Sequence, residues 1–224
     1  MTTYTIKVHN KSDASQHFLL FNEKPTSSNN ISQLWTNVWV KSGVTDHPNG
    51  TATFKITSKF YGVCGTTDTA FASGVSVSTS DWADVNITTS SSNGTKLQMN
   101  VEDDGPVFDS SAVSTTSTTG SFAINTNSFD STQHENVYCG LGRQSAHDSE
   151  DIIPVAVWTA KPSQDYEIAP VQKFFIATGT YSEGDVVNVA DLGQTVVIDF
   201  TSTTYTNAST DFTTEYKYTS PKYS

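Results

Sequence analysis

The sequence predicts an all-β fold, an antiparallel β-sandwich of roughly a dozen strands with little helix, built as one domain over residues 1–224. Three observations predict it. Apolar and polar residues alternate with a period of two through many short runs. Those runs are rich in Val, Ile, Thr and aromatic residues and are punctuated by Gly, Pro, Asn and Asp. No stretch of about ten residues or more carries an apolar stripe at helical spacing.

Taken in order, TYTIKV sets Tyr4, Ile6 and Val8 on one face, and QLWTNVWV mixes alternation with doubled apolar residues. There the spacing of Trp35 and Trp39 predicts a shared strand face. TATFKIT contributes Phe54 and Ile56, the apolar run FYGVCGTT carries Cys64, SVSTS follows Val75 with Val77, and KLQMNV contributes Leu97, Met99 and Val101. SFAINT, NVYCGLG, IIPVAVW, QKFFIAT, DVVNV and TVVIDFTS complete the series. The clusters KPTSSNN, HPNGT, SSNGT, EDDGP, KPSQD and YSEGD read as turns. Asn49–Gly50 and Asn93–Gly94 are hairpin candidates because both residue types tolerate positive φ. VADLGQ, residues 189–194, is the best short helical turn. The Ser/Thr tract 110–121 reads as a surface connection or edge strand. In the tail, Tyr205, Phe212, Tyr216, Tyr218 and Tyr223 recur among Ser and Thr. Residues 205–224 are therefore a final strand with a loose end, or an arm that docks on a neighbouring molecule.

The charge narrows the function. Twenty-three Asp and Glu against twelve Lys and Arg leave a formal net charge of −11, with a sequence pI near 4.6. Nucleic acid and anionic membrane surfaces both need basic neutralisation, so neither is an expected partner. No apolar run reaches the roughly 18 residues of a membrane span. The opening MTTYTIKVHNKSD lacks a charged segment followed by an apolar one, so the expected site of action is inside the cell unless a leader has been removed: the cytoplasm or, where acidity favours association, the vacuole.

Chemistry is sparse. CGLGRQSAHDSED gathers Cys139, Arg143, Ser145, His147 and Asp148, and a cysteine-dependent enzyme built on Cys139 and His147 is one reading. Groups so close along one loop point apart, whereas working triads assemble from separated segments. No cofactor is expected. The five histidines show no metal-ligand spacing, and the carboxylates Glu102, Asp103, Asp104 and Asp109 read as a solvated turn ahead of a Ca²⁺ site. Lectin sites combine an exposed aromatic face with Asn and Asp on a rigid sheet scaffold. Trp35, Trp39 and Trp158 sit in runs that read as core. Trp82, flanked by Asp81, Asp84 and Asn86, is the candidate sugar platform.

Cys64 and Cys139 are each followed by glycine, where a strand is expected to end. Three states stay open: free thiols, an internal disulfide, or cross-links between copies from two loop-side thiols. Near the pI self-repulsion fades, and a Ser/Thr/Asn-rich β-surface with aromatic edges can associate.

The segments YTIKVHNKSDASQHFLLFNEKP, NVYCGLG and APVQKFFIATGTYSEGDVV resemble a group of small β-rich fungal and bacterial proteins. Its candidate members include the octin-like matrix proteins of vacuolar crystals used in gravity sensing. The resemblance implies self-assembly into a dense inclusion with Cys64 and Cys139 as candidate ties, and it brings no catalytic or binding motif. The first expectation is thus a non-catalytic, self-associating structural or storage protein whose partner is itself. The second is an intracellular carbohydrate-binding lectin using Asp81, Trp82, Asp84 and Asn86.

Overall fold

The computed structural model describes residues 2–27, 31, 33–148 and 150–224. The KPTSSNN cluster ends outside the described residues. Among them regular structure is β throughout, apart from one 3₁₀ turn at Val189–Asp191 inside the expected VADLGQ stretch. Twenty strands form among the described residues, thirteen of them five residues or longer. The other seven are two- to four-residue pieces, most of them at sheet edges.

Numbered along the chain, the strands make four sheets. The first has the order β20 (Lys222–Tyr223), β19 (Asn207–Phe212), β1 (Thr3–Asn10), β6 (Thr51–Thr57). The second runs β18 (Thr195–Asp199), β16 (Lys173–Thr178), β2 (Phe18–Asn22), β5 (Val40–Lys41). The third runs β17 (Val186–Val187), β4 (Trp35–Asn37), β14 (Ile152–Thr159), β13 (Val137–Gln144), β7 (Phe60–Thr66), β8 (Ser78–Val85). The fourth runs β10 (Gly105–Phe108), β9 (Gly94–Glu102), β12 (Phe122–Thr126), β15 (Asp165–Ala169), β3 (Thr26–Ser27), with β11 (Ser114–Thr116) also on β9. Pairing is antiparallel except for β1 with β19 and β9 with β12.

Alternation decides the outer strands. β1 buries Ile6, Val8 and Asn10 and turns Thr5, Lys7 and His9 outward; β6 buries Ala52, Phe54 and Ile56 between exposed Thr51, Thr53 and Lys55. β7, β13 and β14 instead lie inside the third sheet and are buried almost residue by residue. One main core draws on all four sheets, from Phe54 and Phe212 through Phe18 and Phe174 to Leu97, Phe122, Leu141 and Trp158. Large aromatic side chains supply that core where aliphatic content is low.

Two local expectations change. Trp35 stacks on Phe71 beside a satellite cluster, whereas Trp39 enters the main core, because the strand breaks after Asn37 and the backbone turns between them. Neither Asn-Gly pair closes a hairpin: β5 and β6, like β8 and β9, belong to different sheets. The tight hairpin turn is the acidic one, Asp103–Asp104 between β9 and β10, with Gly105 at φ +121°. The Ser/Thr tract holds a short strand on β9, as the edge-strand reading expects.

The tail folds onto its own chain. β19 lies parallel to β1, β20 returns along β19, and Phe212 and Tyr218 pack on Phe18. Tyr223 sits edge-on to Phe200, and its hydroxyl accepts the Asp199 N–H at 2.9 Å.

Candidate functional site

The two cysteines are not at strand ends. Cys64 lies within β7 and Cys139 within β13, directly opposite in register, and both are fully buried free thiols. The expectation of loop-side thiols is corrected by their glycines, which mark close packing. A Cβ on Gly65 would stand 2.0 Å from the Ser78 carbonyl oxygen, and one on Gly140 2.3 Å from that of Ala156. The Cys64 thiol donates to the Pro106 carbonyl at 3.4 Å. Burial pushes both thiols well above the ordinary range, so neither is a nucleophile as placed.

The remaining members of the Cys139–Asp148 group disperse. Arg143 continues β13 and is fully buried, not part of a polar loop. Its guanidinium lies 4.0 Å from the centre of the Phe60 ring, with Trp39 and Phe174 further out. It donates to Asn22 Oδ1 (3.2 and 2.9 Å), the Thr57 and Lys59 carbonyls (3.0 and 3.5 Å) and Gln172 Oε1 (3.1 Å). Oxygen dipoles satisfy this cation in place of a carboxylate, and burial draws its pKa down to about 9. His147 is exposed, with Nε2 3.2 Å from Glu183 Oε1. Cys139 inside the sheet and His147 on the surface do not share a site. Among the described residues no three His, Cys, Asp or Glu side chains gather to hold a metal ion.

Around Trp82 the structure divides the four sugar-platform residues. Trp82, 44% exposed, and Asp84 project from the same face of β8 into a groove of about 530 Å³. Five residues outside the expected sugar platform complete it: Lys59, Tyr61, Gln144, Glu150 and Ile152. Tyr61 meets Trp82 edge-to-face at 5.5 Å, and Lys59 bonds Asp84 at 2.7 Å while lying 4.9 Å from the Tyr61 ring centre. The Asp84 bond, and next the one to Tyr61, hold the ammonium above its ordinary pKa. Asp81 does not line this groove; it accepts from the Trp82 and Phe108 N–H groups, both at 2.8 Å, and so ties β8 to β10. Asn86 lies beyond the strand and bonds through its N–H to Thr95 Oγ1. The one sequence signal for Lys59 and Tyr61 is their own alternation. Their meeting with Asp84 depends on the β7–β8 register set across the loop 67–77.

A larger groove, about 700 Å³, runs along β6 between Thr51–Lys55 and the segment Val40–Asp46, with Val44 64% exposed beside it. Asn10 N–H donates to the Gly50 carbonyl and Ser58 N–H to that of Thr2. With the register between them, even-numbered residues of β6 turn their main-chain groups to β1 and odd-numbered ones turn them away. The Thr57 carbonyl takes Arg143 Nη1. The outward amides and carbonyls of Thr51, Thr53 and Lys55 have no partner among the described residues.

No curated protein and no solved structure matches the chain. A family model does, over residues 1–218, a span that includes the two cysteines, the buried arginine, both grooves and all but the last strand. The chain therefore belongs to the RhiA family.

Proposed function

We propose that this protein is a non-catalytic structural or storage protein that associates with copies of itself into an ordered intracellular assembly, with the vacuole as a fitting compartment. The observation carrying the reading is the open edge of β6, where three residues offer unpaired main-chain donors and acceptors along a groove. Unpaired edges of this kind recruit further strands by backbone pairing. Net charge contracts as pH falls toward 4.6, which removes the repulsion opposing that contact. Cys64 and Cys139 tie copies together in this reading only where β7 and β13 part, since both thiols are buried.

Static light scattering from about pH 7.5 to about 4.5, with and without reductant, tests the reading across the range where His and then carboxylates titrate. The expected result is a mass that rises toward the pI. The Thr53→Pro variant removes one outward N–H and leaves the β1 ladder intact, so it should associate less. A monomer at every pH defeats the proposal.

The Trp82–Tyr61 corner favours a second reading, carbohydrate binding. An exposed indole over a polar groove with Lys59 and Asp84 suits the apolar face and hydroxyls of a sugar. Glycan-array binding lost in Trp82→Ala supports it; a blank array for the wild-type protein removes it.

A further inference from the structure

The outer face of the first sheet differs in charge from the rest of the molecule. β1 turns Thr5, Lys7 and His9 outward, with Lys11 just beyond; β6 adds Thr51, Thr53 and Lys55; β19 adds Asn207, Ser209 and Asp211; β20 adds Lys222. Cross-strand register sets Lys7 beside both Thr53 and Ser209, Thr5 beside Lys55, and Ser209 beside Lys222. Hydroxyls thus separate the lysines. The only carboxylate side chain among these residues, Asp211, is bound to Lys11 at 2.7 Å. Four of the chain's twelve Lys and Arg stand here with one of its twenty-three Asp and Glu. Two depressions of about 340 and 350 Å³ mark the face on either side of His9 and Ser209.

We propose that this cationic, hydroxyl-lined face is the docking surface for the acidic exterior of a second copy, entered by the Glu102–Asp104 turn. This rests on the self-association reading and names the surface that carries it. The chain supplies the complementary charge itself. Its remaining surface is strongly anionic, and three consecutive exposed carboxylates of it close the tight β9–β10 hairpin on a different sheet. Two cationic faces repel one another, so a two-fold pairing of like faces is disfavoured. A face-to-turn contact is heterologous, and it grows into open arrays unless its rotation happens to close. The face also ends at the open edge of β6, so an incoming segment meets Lys55 and free main-chain groups together.

The test uses the full chain in three forms: wild type, Lys7→Glu/Lys55→Glu/Lys222→Glu, and Glu102→Lys/Asp103→Lys/Asp104→Lys. All six positions are exposed, and circular dichroism melts check that the folds are retained. Sedimentation at about pH 5.5, where carboxylates remain ionised, is run in low and high salt. Wild type should associate in low salt and weaken in high salt. Each triple variant alone should associate at least about tenfold more weakly, equivalent to ~1.4 kcal/mol. An equimolar mixture of the two variants should recover association, because the reversed face then meets a reversed turn. If wild type and the face variant associate alike, the docking surface is wrong and self-association stands. If the variants fail and their mixture stays dissociated, the turn is not the partner and the proposal falls. Should the face variant keep self-association but lose binding to polygalacturonate, the occupant is an acidic polysaccharide and the proposal also falls. A wild-type monomer under all conditions removes both readings.

Discussion

A thiol reagent at mildly alkaline pH should find the native protein nearly inert. β13 is flanked by β14 and β7, and β7 by β13 and β8, so neither cysteine strand is a sheet edge. Both side chains are fully buried, and burial holds both thiols protonated in a range where a free thiol at pH 8 is about one-quarter ionised. Labelling must therefore pass through an opened state that unzips β8 from β7 or splits the β7–β13 ladder. That disruption approaches global unfolding, and an opening free energy of only about 5 kcal/mol, the low end for a folded domain, slows modification by a factor on the order of 5,000. The assay is release of thionitrobenzoate from Ellman's reagent at about pH 8, with and without about 6 M urea. Two thiols should react at once in urea and neither within minutes in buffer. Stoichiometric reaction of either cysteine within the mixing time, without urea, would refute the reasoning. It would also restore the loop-side thiols that the packing around Gly65 and Gly140 excludes.

Four further outcomes follow from the packing. Arg143→Ala strands Asn22 Oδ1 and leaves a void between Phe60, Trp39 and Phe174, and urea unfolding should show a loss of about 3–5 kcal/mol. Arg143→Met isolates the charge. The folded-state pKa of about 9 lies below the ordinary arginine value of the unfolded chain, so the folded form sheds the proton first, and wild type should gain stability relative to the Met variant as pH rises above about 9. A difference in stability that stays flat from pH 8 to 11 would show the guanidinium to be better compensated than its burial implies. Gly140→Ala drives a methyl to within 2.3 Å of the Ala156 carbonyl and should cost about 1–3 kcal/mol, read as a lower urea midpoint. Trp82→Ala, on the exposed face of an edge strand, should cost less than about 1 kcal/mol in the same measurement.

The period-two runs were legible because alternation needs only local information: a strand with one face in the core must read apolar, polar, apolar, as β1 and β6 do. The same local rule misread FYGVCGT and VYCGLGRQ. Glycine after an apolar run is a stop signal in a strand with a solvent face. Between two packed neighbours it is the residue that lets a carbonyl approach, and only sheet order distinguishes the two. Arg143 shows the same limit, since a lone arginine beside Ser and His reads as a loop residue. Its burial depends on oxygens from Asn22, Thr57, Lys59 and Gln172, which lie between 29 and 121 residues away along the chain.

The candidate surfaces divide the same way. Trp82 stood out by itself, because a tryptophan between two aspartates is poorly suited to a core. Its companions Tyr61 and Lys59 became visible only when β7 met β8. The lysines of the first sheet are spread from residue 7 to residue 222, and only Lys7 and Lys11 lie close together in sequence. Composition and periodicity determined that the chain is all-β, acidic and rich in aromatic core, because those properties are sums over local choices. Tertiary structure alone decided which strand edge stays open, where the thiols are sealed and which face is cationic, because each is a relation between residues that only strand pairing brings together.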